Sequence, residues 1–274
     1  YNAADMTWIL IATALVFLMT PGLAFFYGGM VHRKNVISTM IKSVVAAGVV
    51  SVLWVFIGFS LVFGDSMGGL IGNPATYFAF KGVSSGEPWI LAPTIPKTLF
   101  ALFQMMFAII TPALITGAFV NRVSFKAYMI FLTVWQILVY YPFVHMVWGG
   151  GLLAEWGVLD FAGGIVVHAT AGFAALASVF YVGKRYNKAS TPNSVPLVAI
   201  GSGLLWFGWY GFNAGSELQV DGVTSLAFLN TDIAASFATM AWVAIEGYRE
   251  GKPIFNGLIT RSIDGLATIT ACVG

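Results

Sequence analysis

A histidine lies in the middle of an apolar, helix-forming stretch, residues 160–176, which reads DFAGGIVVHATAGFAAL. Its imidazole ring titrates near neutral pH and has two nitrogens through which a proton can pass. Gly164, His168 and Gly172 are spaced at i, i+4 and i+8, so we expect one helical face that lets another helix or a small permeant approach closely. A polar ring in hydrocarbon faces a bundle interior or a pathway. The spacing fits both a core histidine bonded to a neighbouring helix and a pathway histidine.

Aromatic side chains and one hydroxyl are predicted to gather at the ends of several helices. Phe103 and Phe107 are spaced at i, i+4, as are Phe212 and Ser216, while Trp148 closes another apolar stretch. Aromatic faces with a hydroxyl at one depth would form a cage for a small cation, with each cation–π contact worth roughly 0.5–2 kcal/mol. An aromatic belt at a membrane interface gives the same pattern.

The composition places the chain in a membrane. Hydrophobic residues make up 58% of it and charged residues 9%, and the mean hydropathy is +0.85. The near-neutral charge gives no reason to expect nucleic acid as a partner. Cys272 is the single cysteine, which excludes an intrachain disulfide and a cluster of thiolate metal ligands.

The apolar blocks predict an all-α polytopic membrane protein, since about 20 residues cross a bilayer as a helix. We expect one membrane domain over residues 1–274, and we expect the chain to be an incomplete part of a longer protein that stops inside its eighth span. A long polar loop should occupy residues 64–97. The predicted spans are residues 8–30, 40–63, 98–120, 127–147, 161–183, 195–213, 230–247 and 254–274.

The distribution of charge predicts the orientation. Nine basic residues fall in the loops after the odd-numbered spans, against two in the loops on the opposite side. Positive loops stay in the cytoplasm, so the N-terminus is predicted to lie outside a cell membrane, in a face rich in acids that favours cations weakly. The nine are Arg33, Lys34, Arg122, Lys126, Lys184, Arg185, Lys188, Arg249 and Lys252, and the two are Lys81 and Lys97.

Several segments together resemble the Amt/MEP/Rh family of ammonium transporters. They are PGLAFFYGGMVHRKNV near the start, FQMMF, HMVWGGG, DFAGGIVVHATAGFAAL and WYGFNAGS, and they occur in the expected order. The positions of Trp148 and Ser216 match the Amt branch better than the Rh branch. The resemblance implies a fold of eleven helices, built as two five-helix halves of inverted topology plus a last helix, of which about seven and a half are present here.

The resemblance also implies roles for individual residues. Phe103, Phe107, Trp148 and Ser216 would form an external site that recruits ammonium. Phe107 and Phe212 would be the stacked rings of a gate below it, with His168 and Trp209 lining the pore further in. Asp160 matches an acidic residue of the family near this site. Its expected role is to cap the fifth helix, and its negative field would favour a cation as a second effect.

The implied mechanism is ammonium-dependent transport in which ammonia passes a hydrophobic pore. Ammonium and potassium ions are close in size, but only ammonium sheds its charge by losing a proton, and a bare charge in an apolar pore is costly. A pair of histidines would assist proton transfer, and the second is expected in the tenth helix, beyond this chain. His145, at the outer end of the fourth span, and His32, in a basic loop, cannot replace it.

The sequence is also compatible with three other functions, to different degrees. The same site would serve an ammonium sensor coupled to a C-terminal signalling domain. An Rh-like channel for neutral gases is disfavoured by Trp148 and Ser216, and a purely structural subunit by the presence of His168. We expect no enzyme activity and no cofactor, because no nucleophile–base pair or metal cluster stands out in the sequence. As partners, the resemblance implies ammonium, ammonia or methylammonium, a lipid bilayer, a homotrimer and a cytoplasmic PII-type regulatory protein.

Overall fold

The computed structural model describes residues 1–84, 87–185, 191–252 and 254–274 and is mainly helical. Within these ranges, seven helices are long and apolar enough to cross a membrane. This confirms the expected class of an all-α polytopic membrane protein. Lys188, one of the nine basic residues counted above, lies outside the described residues.

The spanning helices are numbered here in chain order, and three of them contain a π-helical turn. We call these α1, Ala3–Met30; α2, Val36–Leu53 continuing through the π turn Trp54–Gly58 into Phe59–Phe63; α3, Lys97–Phe119; α4, Phe125–Trp135 continuing through the π turn Gln136–Tyr140 into Tyr141–Trp148; α5, the π turn Gly164–Ala169 followed by Thr170–Val182; α6, Val195–Ala214; and α7, Gly222–Glu250.

An eighth helix, α8, occupies Phe255–Ile269. Its 15 residues are fewer than the roughly 20 that a membrane crossing needs. The segment between α2 and α3 contains a two-stranded antiparallel pair, β1 (Ser66–Met67) and β2 (Ile71–Gly72). A single helical turn, Leu152–Glu155, lies between α4 and α5.

Successive spanning helices run in opposite directions, so their connections lie at two ends of the bundle. The acidic end, named for Asp5, Asp65, Asp160, Glu217 and Asp221, holds the starts of α1, α3, α5 and α7. There, the Asn2 amide donates to the Thr94 carbonyl at 2.8 Å, and the Val220 amide donates to Asp5 Oδ1 at 2.9 Å. At the opposite, basic end, the Arg122 guanidinium donates to the carbonyls of Ala118 and Gly183.

Helices α1 and α6 pack with their backbones close together because glycines face the contact. A Cβ atom placed on Gly201 would overlap backbone atoms of Phe26 and Gly22, and one placed on Gly211 would lie 2.9 Å from the Ala12 carbonyl oxygen. Small residues allow this approach. The resulting van der Waals packing stabilises helix pairs in lipid, where the hydrophobic effect does not drive helices together. The glycine face of α6 is therefore used within the chain.

Replacing Gly201 by alanine should destabilise the protein, whereas replacing Gly203 on the same helix should not. The added methyl group at position 201 meets backbone that cannot move aside, and overpacking of this kind costs about 1–3 kcal/mol. Position 203 has no described heavy atom within 4 Å of the new Cβ, and alanine favours helix there. Thermal unfolding of the two full-length variants should show a lower Tm for Gly201→Ala alone. Equal Tm values would contradict the close packing of α1 on α6.

Helix α3 is held by side chains that donate to its backbone carbonyls. Pro112 has no amide hydrogen, which leaves the Ala108 carbonyl without its helical partner. Gln136 Nε2 donates to that carbonyl at 2.6 Å, Trp54 Nε1 donates to the Ala101 carbonyl at 3.0 Å, and the Tyr27 hydroxyl donates to the Leu114 carbonyl at 2.8 Å. These contacts from α4, α2 and α1 fix the helix that carries Phe103 and Phe107.

Candidate functional site

The aromatic side chains singled out in the sequence lie together in the structure. The ring of Phe107 is 4.9 Å from Phe103, 5.8 Å from Trp148 and 4.5 Å from Phe212, measured between ring centroids. Phe103, Phe107 and Phe212 are fully buried, while Trp148 is half-buried. Rings from α3, α4 and α6 thus form one cluster at the acidic end, with Trp148 as its more accessible member.

Ser216 follows Phe212 by one helical turn, and its hydroxyl donates to the Phe212 carbonyl at 2.8 Å. Its hydrogen is therefore engaged, and the oxygen keeps lone pairs with which it can accept. The preceding residue, Gly215, faces Phe103, since a Cβ placed there would lie 3.0 Å from Phe103 Cζ. A cation that carries N–H groups could therefore donate a hydrogen bond to the Ser216 oxygen while it contacts the aromatic rings.

Replacing Ser216 by alanine is expected to raise the Kd for a hydrogen-bond-donating cation about threefold to tenfold. The change removes one acceptor, and a hydrogen bond contributes about 0.5–1.5 kcal/mol net. Calorimetric titration of the full-length protein with methylammonium, as a probe cation that donates hydrogen bonds, would measure the change. Ser225→Ala is the matched control, because that hydroxyl also donates to a carbonyl, of Gly222 at 2.9 Å, on an exposed turn of α7. A Kd unchanged in Ser216→Ala would remove Ser216 from the site.

Asp160 organises the start of α5. Its carboxylate accepts from the amides of Gly163 at 3.0 Å, Ile165 at 2.9 Å and Val166 at 2.9 Å. The N-cap position expected for Asp160 is held by Gly163, with φ +102°, and the Asp160 carboxylate reaches the amides of the helix start from three residues upstream of it. A loop that turns back before the helix allows this geometry, which spacing alone does not reveal.

Asp160 also connects α5 to the aromatic cluster. Its backbone carbonyl accepts from Trp148 Nε1 at 2.8 Å. Burial raises the pKa of the Asp160 carboxyl, and hydrogen bonds from the amides of Val166, Ile165 and Gly163 oppose that rise. The residue links the cap of α5 to the tryptophan at the edge of the cluster.

His168 contacts Phe212, which in turn contacts Phe107 in the aromatic cluster. Its ring stacks 5.2 Å from Trp209 and 5.6 Å from Phe212. Its Nε2 atom is buried and has no hydrogen-bond partner among the residues that the structure describes. The histidine sits in the π turn of α5, a local irregularity that often marks functional positions. A buried ring nitrogen without a partner calls for an explanation other than core stability.

The two glycines that flank His168 in sequence have different neighbours. A Cβ placed on Gly164 would lie 2.8 Å from the Ala271 Cα atom, whereas no described heavy atom lies within 4 Å of one placed on Gly172. Close approach of another segment is therefore present at Gly164 and is not seen at Gly172 within the described residues.

A narrow cavity of about 60 Å³ borders His168, Trp209 and Phe212. A single water needs roughly 10–15 Å³ of such space, so the cavity has room for a few molecules of that size. Its other lining residues are almost all apolar, and they are Met19, Leu23, Phe26, Tyr27, Ile110, Leu114, Leu205 and Ile263. We call this cavity the conduit.

Thr270 positions Trp209 and is not among the site residues predicted from the sequence. The Thr270 hydroxyl accepts from Trp209 Nε1 at 2.9 Å and donates to the Leu266 carbonyl at 2.8 Å. The Thr270 carbonyl also accepts from the Ala162 amide at 3.1 Å. A lone threonine near the end of an apolar stretch was the one available signal, and its partner lies 61 residues away in sequence.

The other two histidines are not at the conduit. His32 is at the basic end, where its Nδ1 accepts from the Lys34 amide at 3.4 Å. His145 is buried in α4 and contacts Val62 and Ser66. A larger, open groove of about 1030 Å³ lies elsewhere, between α1, α6 and α7, and includes Trp8 and Phe228 but none of the predicted site residues.

Comparison with known proteins identifies related chains. The family model described as Ammonium Transporter Family matches residues 7–274. The chain is 45% identical over 275 residues to the ammonium transporter of Aquifex aeolicus, across 100% of this chain and 64% of that protein. The crystal structure of Candida albicans Mep2 matches with a TM-score of 0.93 and 37% identity, across 100% of this chain and 62% of Mep2.

A solved structure described as a sensor Amt protein also matches. Its TM-score is 0.89 at 32% identity, over 98% of this chain and 68% of that one. The chain spans less than two thirds of the Aquifex protein and of Mep2, at 64% and 62% of their lengths.

Proposed function

We infer, since this chain belongs to the Ammonium Transporter Family, that the protein containing it carries ammonium nitrogen across a membrane. The observation that carries this proposal is the position of His168, whose buried Nε2 atom lacks a described partner and whose side chain borders a narrow apolar conduit. Contact between Phe212 and both His168 and Phe107 joins this conduit to the aromatic cluster at the acidic end.

Recruitment is proposed at Phe103, Phe107, Trp148 and Ser216, which we call the cation site. The half-buried Trp148 offers an aromatic face, and each such contact with a cation is worth roughly 0.5–2 kcal/mol. The Ser216 oxygen accepts a hydrogen bond from ammonium, whereas potassium has none to donate. The site therefore favours ammonium over an alkali ion of similar size.

Entry to the conduit is proposed to pass between Phe107 and Phe212. Their centroids are 4.5 Å apart and both rings are fully buried, so a permeant needs the rings to move. An isolated charge in the apolar space beyond them is expensive. Ammonium avoids that cost by leaving its proton behind, and ammonia then passes His168 and Trp209.

His168 is proposed to assist the separate passage of the proton. Its Nε2 atom lacks a described partner, which leaves it available to a permeant or to a second imidazole. The family resemblance implies such a second histidine in a tenth helix, and the part of the chain that the structure describes forms seven spanning helices and the shorter α8. Asp160 is proposed to act through the structure of the α5 terminus and through its field.

The membrane setting of the whole protein is also a proposal. Residues 1–274 form a single membrane domain in a cell membrane, with the acidic end and the N-terminus outside, as the excess of basic residues at the other end favours. A homotrimer that binds a cytoplasmic PII-type regulator is expected from the family resemblance. No catalytic role is assigned to any residue.

Sensing is the second candidate, and one specific observation favours it. A structure described as a sensor Amt protein shares this fold with a TM-score of 0.89. A sensor would use the cation site without steady flow through the conduit. The two functions therefore differ in flux and not in recognition.

Paired uptake and binding measurements on the full-length protein test this proposal. Saturable accumulation of radiolabelled methylammonium in proteoliposomes, with protein-free liposomes as the control, is the result expected of a transporter. Binding of ammonium by folded protein, measured by calorimetry without any uptake above that control, would replace transport by sensing. The absence of both binding and uptake would refute the transporter and the sensor alike.

A further inference from the structure

His145 is a buried titratable residue that the proposed mechanism does not use. It is fully buried, and both ring nitrogens are engaged: Nδ1 with the Val62 carbonyl at 2.7 Å and Nε2 with Ser66 Oγ at 2.9 Å. A carbonyl oxygen only accepts, so Nδ1 carries the hydrogen and Nε2 accepts from the Ser66 hydroxyl. These two bonds select one neutral tautomer of the ring and fix its orientation.

The two partners of His145 lie on segments that are distant from α4 in sequence. Val62 is in the last turn of α2, and Ser66 is in β1 of the segment that follows. The packing around the ring is tight, since a Cβ placed on Gly149 would lie 2.6 Å from His145 Nδ1. The side chain of His145 thus fastens the end of α4 to the end of α2.

The backbone of His145 holds the turn that follows Trp148. Its carbonyl accepts from the amides of Gly149 at 3.0 Å and Gly151 at 3.1 Å. Leu152, just beyond, donates its amide to the Gly69 carbonyl at 2.8 Å. The last turn of α4, which carries Trp148, is therefore fixed at His145 through both its side chain and its backbone.

The side chain of Trp148 has one described hydrogen bond, from Nε1 to the Asp160 carbonyl. That bond fixes one edge of a half-buried ring, and the position of its helical turn must be set separately. We propose that His145 is a positioning residue for the cation site. Its bonds to Val62 and Ser66 fix the last turn of α4 and thereby the position of the Trp148 ring relative to Phe107. The proposal rests on the proposed function for its effect on transport, but its structural part is independent of it.

Three variants of the full-length protein, two single and one double, separate this role from simple core packing. Ser66→Ala removes the hydroxyl at a solvent-exposed residue and leaves the core intact. His145→Asn keeps an N–H group where Nδ1 lies but cannot reach Ser66, and Ser66→Ala/His145→Asn combines the two changes. Ser84→Ala, at an exposed serine of the same segment between α2 and α3, is the matched control.

The expected result is a shared defect in recognition. Ser66→Ala and His145→Asn should each raise the KM for methylammonium about threefold to tenfold, as the loss of one hydrogen bond allows. Vmax per folded protein should change little, and the double variant should be no worse than His145→Asn, because both single changes remove the same bond. Ser84→Ala should behave as the wild type.

Hydroxyl-radical labelling read by mass spectrometry provides a readout that does not depend on transport. Labelling of Trp148 should rise in Ser66→Ala and His145→Asn, with the buried Trp209 as the internal standard. Unchanged KM and unchanged Trp148 labelling in both would overturn the proposal and leave His145 as a core residue. Absence of uptake by the wild type would refute the proposed function, and Trp148 labelling would still decide the positioning role.

Discussion

Replacing Asp160 by alanine is expected to abolish saturable methylammonium uptake and to destabilise the full-length protein. The carboxylate accepts from the amides of Gly163, Ile165 and Val166, and its removal leaves buried donors without a partner. Hydrogen bonds to a charged group contribute about 1.5–3 kcal/mol each, so we expect a loss of at least about 3 kcal/mol. The same change loosens the turn whose carbonyl holds Trp148. Uptake in proteoliposomes and thermal unfolding measure the two effects.

Two further variants show whether the effect belongs to this carboxylate. Asp160→Asn keeps one acceptor oxygen and should give an intermediate phenotype. Asp221 is a second capping carboxylate, with Oδ1 accepting from the amides of Val223 and Thr224 at the start of α7. Asp221→Ala should lower the Tm without changing the KM. Normal uptake by Asp160→Ala would show that neither the cap of α5 nor its link to Trp148 supports transport.

Replacing His168 by alanine is expected to reduce methylammonium uptake by about tenfold or more and to weaken the exclusion of potassium. The imidazole ring fills space against Trp209 and Phe212, so its loss enlarges the conduit. It also removes an imidazole whose two nitrogens can accept and donate a proton, and general acid–base assistance of proton transfer is worth roughly 10²–10⁴-fold. The measurement is initial uptake of radiolabelled methylammonium and of radiolabelled rubidium, a potassium surrogate, into proteoliposomes holding the variant.

His32→Ala is the matched control for His168, because it removes an imidazole at the basic end, away from the conduit. It should leave both fluxes unchanged. Wild-type methylammonium uptake and wild-type rubidium exclusion in His168→Ala would remove His168 from the pathway. Its buried, unpartnered nitrogen would then require another explanation.

The clustering of the aromatic residues could be predicted from the sequence because it depends on helical periodicity and on the direction of the spans. The i, i+4 spacing of Phe103 and Phe107 places both on one face of α3, and the alternating direction of the spans brings that face to the same end as Trp148 and Phe212. Length and hydropathy predict the spanning helices for a similarly general reason. Each of these inferences uses only neighbours in sequence or the thickness of a bilayer.

The contacts that set the fine geometry of the site could not be predicted in this way. The bond between Trp209 and Thr270 joins residues that no periodic pattern relates, as does the pairing of the Ala162 amide with the Thr270 carbonyl. The π turn over Gly164–Ala169 depends on how the chain enters α5 and not on helix propensity. The position of Asp160, three residues before the N-cap Gly163, depends on the same path of the backbone into α5.

Simultaneous measurement of two fluxes tests most directly the claim that ammonia, and not a bare cation, passes the conduit beside His168. Proteoliposomes holding the full-length wild-type protein would receive radiolabelled methylammonium and radiolabelled rubidium together, with protein-free liposomes as the background. We expect saturable methylammonium uptake, rubidium uptake equal to the background, and no loss of methylammonium uptake in excess potassium. Rubidium entering with methylammonium would contradict this claim, because an intact cation would then be crossing the apolar space. Inhibition by potassium would contradict the proposed selectivity of the cation site.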